Sequence, residues 1–185
     1  MKIKKILTVL IVAFILASCV PTANSVPIET DIPKMTIAPR EDNFSFVFQY
    51  FECATIPLNV LDTKSGTIVH TPLGDTESIT FPFQLTDDEL ELIYKKSMSI
   101  GFFDYPKVFA IPDDQVLGYQ FPSSSYEISI TNGEMTNSVT WKDDTMSKPE
   151  YKKADSLREL VNLIDQIIQS YLETQELPEP KVGCA

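Results

Sequence analysis

SYEISITNGEMTNSVTW, residues 125–141, indicates the fold most clearly. It consists of two runs in which apolar and polar residues alternate, joined by Asn132 and Gly133. Alternation is the pattern of a half-buried strand, and an Asn-Gly pair between two such runs indicates a tight β-hairpin. We therefore predict an antiparallel hairpin with one apolar face, which needs a cover, and one face rich in serine and threonine.

Three stretches nearer the N-terminus have the same strand-like character. FSFVFQYF (44–51) places an aromatic residue at every second position, and NVLDTKSGTIVH (59–70) has two β-prone runs around a Lys-Ser-Gly turn. SITFPFQ (78–84) is predicted to lie at an edge or to end there, because Pro82 cannot donate a hydrogen bond to a neighbouring strand. The aromatic row of 44–51 is compatible with a ligand platform, but we interpret it as part of the core.

The spacing of apolar residues changes at LTDDELELIYKKSMSIGF, residues 85–102. They no longer occupy every second position but follow the spacing of a helix. Thr86 and Glu89 have the spacing of a capping box, and Gly101 is a suitable stop. Asp87 and Asp88 resemble a catalytic or metal-binding pair, but the first turn of a helix favours acidic residues for electrostatic reasons. We therefore assign them to the helix start.

A second helix is predicted over ADSLRELVNLIDQIIQSYLET, residues 154–174, where apolar residues follow helical spacing closely. Its polar face lacks the lysines and arginines of helices that lie on membranes, so we expect it to cover the sheet. The predicted fold class is α+β: an antiparallel sheet of about five to seven strands with two helices packed on one face. A single domain over residues 44–175 is expected.

The N-terminus has the features of an export signal. Lys2, Lys4 and Lys5 precede an apolar run over 6–17 that is too short to span a bilayer as a helix, which takes about twenty residues. Leu16, Ala17, Ser18 and Cys19 follow at its end. We interpret residues 1–18 as a targeting segment.

The sequence Leu16-Ala17-Ser18-Cys19 resembles the lipobox of bacterial lipoproteins. The resemblance implies that the Cys19 thiol receives a diacylglyceryl group and that the Ser18–Cys19 bond is cut. It also implies anchoring at the outer face of the plasma membrane, or at the outer membrane if the cell has one. The remainder of the chain is similar in general layout to small uncharacterised envelope lipoproteins, and this likeness implies no catalytic or binding residues.

The charge of the chain limits its partners. The formal net charge is −11, and it becomes about −14 once the three lysines of the signal are removed. Such a body is repelled by anionic lipid and lacks the basic surface that nucleic acid requires. We therefore predict no nucleic-acid binding and attribute membrane attachment to the lipid on Cys19 alone.

The domain is expected to stand away from the membrane on a spacer. Residues 20–43 contain prolines at 21, 27, 33 and 39 and show no sustained apolar periodicity. A polyproline II chain of that length reaches up to about 75 Å. Together with the lipidated Cys19 they form a predicted linker over 19–43, and residues 176–185 form a C-terminal tail.

The sequence contains little that indicates catalysis. It has one histidine, His70, and none of the nucleophile, phosphate-binding or dinucleotide motifs, so we predict no cofactor. His/Cys metal clusters are excluded by residue count. The pairs Asp113/Asp114 and Asp143/Asp144 are compatible with loop calcium ligands, but they lack EF-hand spacing and we interpret them as solvated loop carboxylates. Cys53 and Cys184 are either a disulfide or two free thiols.

Two function classes follow from these observations. The first is a tethered interaction or ligand-binding module that recognises an unknown envelope protein or ligand. It would use the Ser/Thr face of the 126–141 hairpin or the aromatic- and proline-rich segment 102–122. The alternative is an envelope hydrolase with an unfamiliar site around His70. We expect the binding module, with an exposed histidine.

Overall fold

The computed structural model describes residues 38–52 and 57–177. The predicted signal segment, Ser18 and Cys19, most of the predicted linker, and both Cys53 and Cys184 lie outside these ranges.

Within the described residues the chain is α+β, with seven strands in one sheet of order β4-β3-β2-β1-β6-β7-β5. The strands are β1 (Ser45–Glu52), β2 (Asn59–Asp62), β3 (Thr67–His70), β4 (Ile79–Pro82), β5 (Val108–Phe109), β6 (Val116–Asn132) and β7 (Met135–Ser147). The helices are α1 (Asp87–Ser99) and α2 (Lys152–Leu172). No helix of the described part is long and apolar enough to cross a membrane.

The sheet is mixed, so the prediction of a purely antiparallel sheet is wrong. The edge strand β5 runs parallel to β7, with Val108 beside Thr140 and Phe109 beside Trp141. β5 lies inside the aromatic- and proline-rich segment 102–122, for which we predict no strand, and it is only two residues long. So short a strand has no alternation that a sequence pattern could reveal.

The core is formed by the alternating positions predicted from the sequence. Phe44, Phe46 and Phe48 are buried in one hydrophobic cluster with residues of β6, β7 and both helices. Burial of that many aromatic and aliphatic side chains is the main stabilising contribution to such a fold. The aromatic row is therefore core rather than a platform.

The predicted hairpin is confirmed, but its turn lies one residue further along. Asn132 pairs with Met135, so Gly133 and Glu134 are the two central residues. Gly133 has φ of +63°, a conformation that glycine adopts without steric cost. Asn132 is buried, and its side-chain oxygen accepts from the backbone N–H of Glu41 at 3.0 Å.

Both helices form where the sequence predicts them. The capping box is present: the Thr86 backbone N–H donates to Glu89 Oε2 at 2.7 Å, and the Glu89 N–H donates to Thr86 Oγ1 at 3.3 Å. Gly101 follows α1 with φ of +65°. The buried side of α2 contains Ala154, Leu157, Leu160, Val161, Ile164, Ile168 and Leu172.

The folded part begins before the predicted boundary at residue 44. The Tyr94 hydroxyl donates to the Ala38 carbonyl, and the Arg40 guanidinium lies 3.4 Å from Glu91 Oε2. The Asn43 side chain makes two hydrogen bonds to the backbone of Gly133, at 2.7 and 3.0 Å. Residues 38–43 thus lie against α1 and the turn end of the β6–β7 hairpin.

Candidate functional site

His70 is placed at the end of β3, as predicted, but it is half-buried rather than exposed. Its Nδ1 lies 2.8 Å from Oδ1 of Asn59, which is itself buried. Since a carbonyl oxygen only accepts, Nδ1 carries the proton in this arrangement. Burial lowers the pKa of His70 from its ordinary value of 6.5. This hydrogen bond to a side-chain amide on the adjacent strand β2 fixes the orientation of the imidazole ring.

The four candidate calcium ligands are not brought together as one group. Asp113 and Asp114 lie in a short 3₁₀ turn before β6, whereas Asp143 and Asp144 lie within β7, so the expectation of loop carboxylates is wrong for the second pair. β7 extends six residues beyond the predicted end at Trp141. No group of three or more metal-ligating side chains is found among the described residues.

Asp143 has a structural partner that the sequence did not indicate. It is buried, and the Arg158 guanidinium donates to both of its oxygens, at 2.6 and 2.9 Å. Arg158 also donates to Asp155 and lies over the Trp141 ring, with its central carbon 5.5 Å from the ring centroid. A bidentate guanidinium–carboxylate pair fixes orientation as well as charge, so this contact joins α2 to β7.

The Ser/Thr face of the hairpin exists as predicted, but its hydroxyls bond to one another. Ser138 donates to Ser129 at 2.9 Å, and the hydroxyls of Thr131 and Thr136 are 3.0 Å apart. A shallow groove of about 480 Å³ lies beside these residues. Its lining comprises Asp42, Asn43, Phe44, Ser45, Phe46, Val47, Asp62, Thr63, Lys64, Ser129 and Thr131. The groove is open to solvent, so it lacks the enclosure of a typical small-molecule site.

A second surface lies in the predicted segment 102–122 and consists of exposed apolar side chains. Leu117 is 65% exposed, Tyr119 80% and Phe121 81%. We refer to these three residues as the apolar ridge. They occupy every second position, the spacing of side chains on one side of an extended strand.

The apolar ridge belongs to the first half of β6, which we did not predict as a strand. The reason is that Gly118 and Pro122 are residues that normally interrupt strands. The pairing with β7 is indeed irregular there, with register shifts between Val116 and Gly118 and between Tyr119 and Ser124. A Cβ on residue 118 would come within 3.0 Å of the terminal methyl of Met146, so the space beside Gly118 is tight.

The strand that carries the apolar ridge continues back to Val116 from the part of β6 that pairs with β1. The last described pair between β1 and β6 is Glu52 with Ser124, and residues 53–56, which follow Glu52, lie outside the described ranges. Over 116–123, the described strand partner of β6 is therefore β7 alone. These eight residues contain no charged side chain, although 22% of the chain is charged.

No protein-family model matches the chain, and no curated protein matches it either.

Proposed function

We propose that this chain is a membrane-anchored extracytoplasmic lipoprotein whose folded domain binds a protein partner through the apolar ridge. The anchor would be the lipidated Cys19, on the basis of the lipobox in the sequence. The observation that carries the binding role is the exposure of Leu117, Tyr119 and Phe121. Contiguous exposed apolar residues on a soluble surface typically mark interaction sites.

We further infer that both helices pack on the sheet face that carries Phe46 and Phe48. Phe44 and Tyr94 make an edge-to-face contact with ring centroids 5.4 Å apart, and Phe83 and Tyr171 make one at 4.6 Å. These contacts join the residue before β1 to α1 and the residue after β4 to α2. A sheet with one covered face has the other face and its strand ends available for partners.

The position of the apolar ridge is favourable for a membrane-anchored domain that binds a partner. Residues 41–43, at the end of the predicted linker, lie against the turn at Gly133, whereas the ridge lies at the opposite end of β6. At about 3.3 Å per residue, the two ends of this strand are roughly 40 to 55 Å apart. Attachment at one end of the hairpin would leave the ridge at the end remote from the linker.

The proposal is tested by co-purification of the full-length protein extracted from its own membranes. A variant with Leu117→Ser, Tyr119→Ser and Phe121→Ser should lose the proteins that bind the parent chain. Leu92→Ser, on the exposed side of α1, is the matched control and should retain them. Identical co-purifying proteins from the parent and the triple variant, at matched abundance and folding, would contradict the proposal.

A further inference from the structure

From the geometry of β6 we propose that Gln120 is a positioning residue, which holds the exposed ring of Phe121 in place for the partner. The inference rests on the proposed function, because Phe121 belongs to the apolar ridge. It adds how the ring is presented and what the partner offers to it. Strand pairing, a side-chain hydrogen bond and an ion pair with α2 support it.

The ladder between β6 and β7 contains an insertion at the apolar ridge. Tyr119 pairs with Thr145, and the next pair along β6 is Ser124 with Asp143. Four residues of β6, 120–123, therefore lie opposite a single residue of β7. We refer to residues 120–123 as the bulge, although a usual bulge adds only one residue. Because pairing with β7 is interrupted there, the ladder alone does not fix the position of the Phe121 ring.

A side-chain hydrogen bond joins the bulge to β7 where the ladder is interrupted. The Gln120 amide nitrogen Nε2 donates to the backbone carbonyl of Asp143 at 2.9 Å. Gln120 is half-buried, whereas the adjacent Phe121 is exposed. Successive side chains of an extended chain lie on opposite sides. Fixing the side chain of residue 120 against β7 therefore also restricts where the ring of residue 121 lies.

The part of β7 that accepts this hydrogen bond is itself fixed by α2. Asp143 is buried, and the Arg158 guanidinium donates to both of its carboxylate oxygens. Arg158 also donates to the backbone carbonyl of Thr145 at 2.8 Å. One guanidinium thus contacts the two residues of β7 that flank the position opposite the bulge. Since a bidentate pair fixes orientation as well as charge, Gln120 is bonded to a rigid support.

A fixed aromatic ring is a favourable binding anchor. Aromatic side chains that enter a pocket of the partner contribute a large share of the binding energy of many interfaces. An anchor already held in its bound position loses less conformational freedom on binding than a mobile one. Bulges also occur beside functional sites, where they change the direction of a side chain. The partner is therefore a protein with an apolar pocket that accepts the Phe121 ring.

Fluorine NMR of the full-length protein in detergent tests the positioning role without a partner. 4-Fluorophenylalanine is placed at position 121 alone, in the parent and in Gln120→Glu, Gln120→Ala and Gln166→Glu. An ionised carboxylate cannot donate to a carbonyl, but a protonated one can. At pH 7 both substitutions at 120 should change the line width and chemical shift of the resonance. The exposed Gln166→Glu is the matched control and should not.

Acid separates the loss of the donor from the gain of a charge. Below about pH 4, where a glutamate is protonated, Gln120→Glu should again resemble the parent measured at the same pH. Gln120→Ala should differ from the parent at both pH values. Circular dichroism shows that each protein is folded under each condition. A Gln120→Ala resonance identical to that of the parent would overturn the proposal, because the hydrogen bond would then have no effect on residue 121.

Co-purification from native membranes measures the consequence for binding. Folded Gln120→Ala should recover the proteins bound by the parent about tenfold less, as partial loss of an anchor does. Gln166→Ala should recover them like the parent. If Gln120→Ala recovers them fully and the triple variant of the apolar ridge does not, the positioning role is wrong and the proposed function stands. If the triple variant also recovers them, both are wrong.

Discussion

At the scale of single residues, the structure changes the interpretation of His70 most. The sequence places it at a strand end, which is correct, but it does not reveal that Asn59 on the neighbouring strand faces it. The pairing depends on the register between β2 and β3, and residue types alone do not fix that register. The same holds for Asp143, whose partner Arg158 is fifteen residues away on a helix. Cross-element contacts of this kind require the tertiary structure.

We predict that His70 makes the fold less stable in mild acid. Burial lowers its pKa below 6.5, so between the lowered pKa and 6.5 the unfolded chain binds more protons than the folded one. Stability should therefore fall as the pH drops below about 6.5. The bond to Asn59 does not offset this, because Nδ1 donates in both protonation states. Urea unfolding of the parent and of His70→Gln at about pH 8 and pH 5.5 measures the effect.

The parent should lose more unfolding free energy between the two pH values than His70→Gln does. Other groups titrate in both proteins, so the difference between them isolates the imidazole. An equal loss in the two proteins would show that the burial of His70 has no energetic consequence.

At the scale of elements, local chemistry predicts the helices well and the irregular strands poorly. The capping residues and apolar stripes of α1 and α2 are local features, so a sequence reading finds them. The first half of β6 contains Gly118 and Pro122, which indicate a turn when read locally, yet pairing with β7 keeps it extended. The two-residue β5 depends entirely on its neighbour. For the same reason, the sequence indicates an aromatic-rich segment at the apolar ridge but does not indicate a strand.

The capping box of α1 should contribute measurably to stability. Thr86→Ala removes the acceptor for the Glu89 N–H and should reduce the free energy of unfolding by about 1 kcal/mol. Thr76→Ala, at an exposed loop position, is the control and should change it by less than about 0.5 kcal/mol. Urea midpoints of the full chain compare the three proteins. Indistinguishable midpoints would mean that the cap is not formed in solution.

The buried side of α2 should contribute more to the free energy of unfolding than the capping box of α1 does. Leu160 and Ile164 are completely buried, so Leu160→Ala or Ile164→Ala should each cost about 2 to 5 kcal/mol. Gln166→Ala, on the exposed side of the same helix, should stay within about 0.5 kcal/mol of the parent. Thermal and urea unfolding measure these changes. Comparable, negligible losses at all three positions would contradict the packing of α2 on the core.

At the scale of the whole molecule, the prediction of the fold class and the prediction of the lipid anchor depend on different kinds of information. Periodicity in residues 44–174 is sufficient for an α+β fold, although it does not distinguish a mixed sheet from an antiparallel one. The anchor assignment depends on four residues, Leu16 to Cys19, whose meaning comes from resemblance to a processing motif. The proposed function needs both parts: a lipid on Cys19 and the exposed apolar ridge on the folded domain.

The proposed lipid anchor on Cys19 is tested most directly by measuring how much labelled fatty acid the full chain incorporates in its own cell. The parent and Cys184→Ser should both carry the label and fractionate with membranes, because Cys184 has no role in the proposed anchor. Cys19→Ser should carry no label and should accumulate as an uncut precursor, since the lipid is transferred to the Cys19 thiol. Labelling of Cys19→Ser at the level of the parent would contradict the anchored-module account.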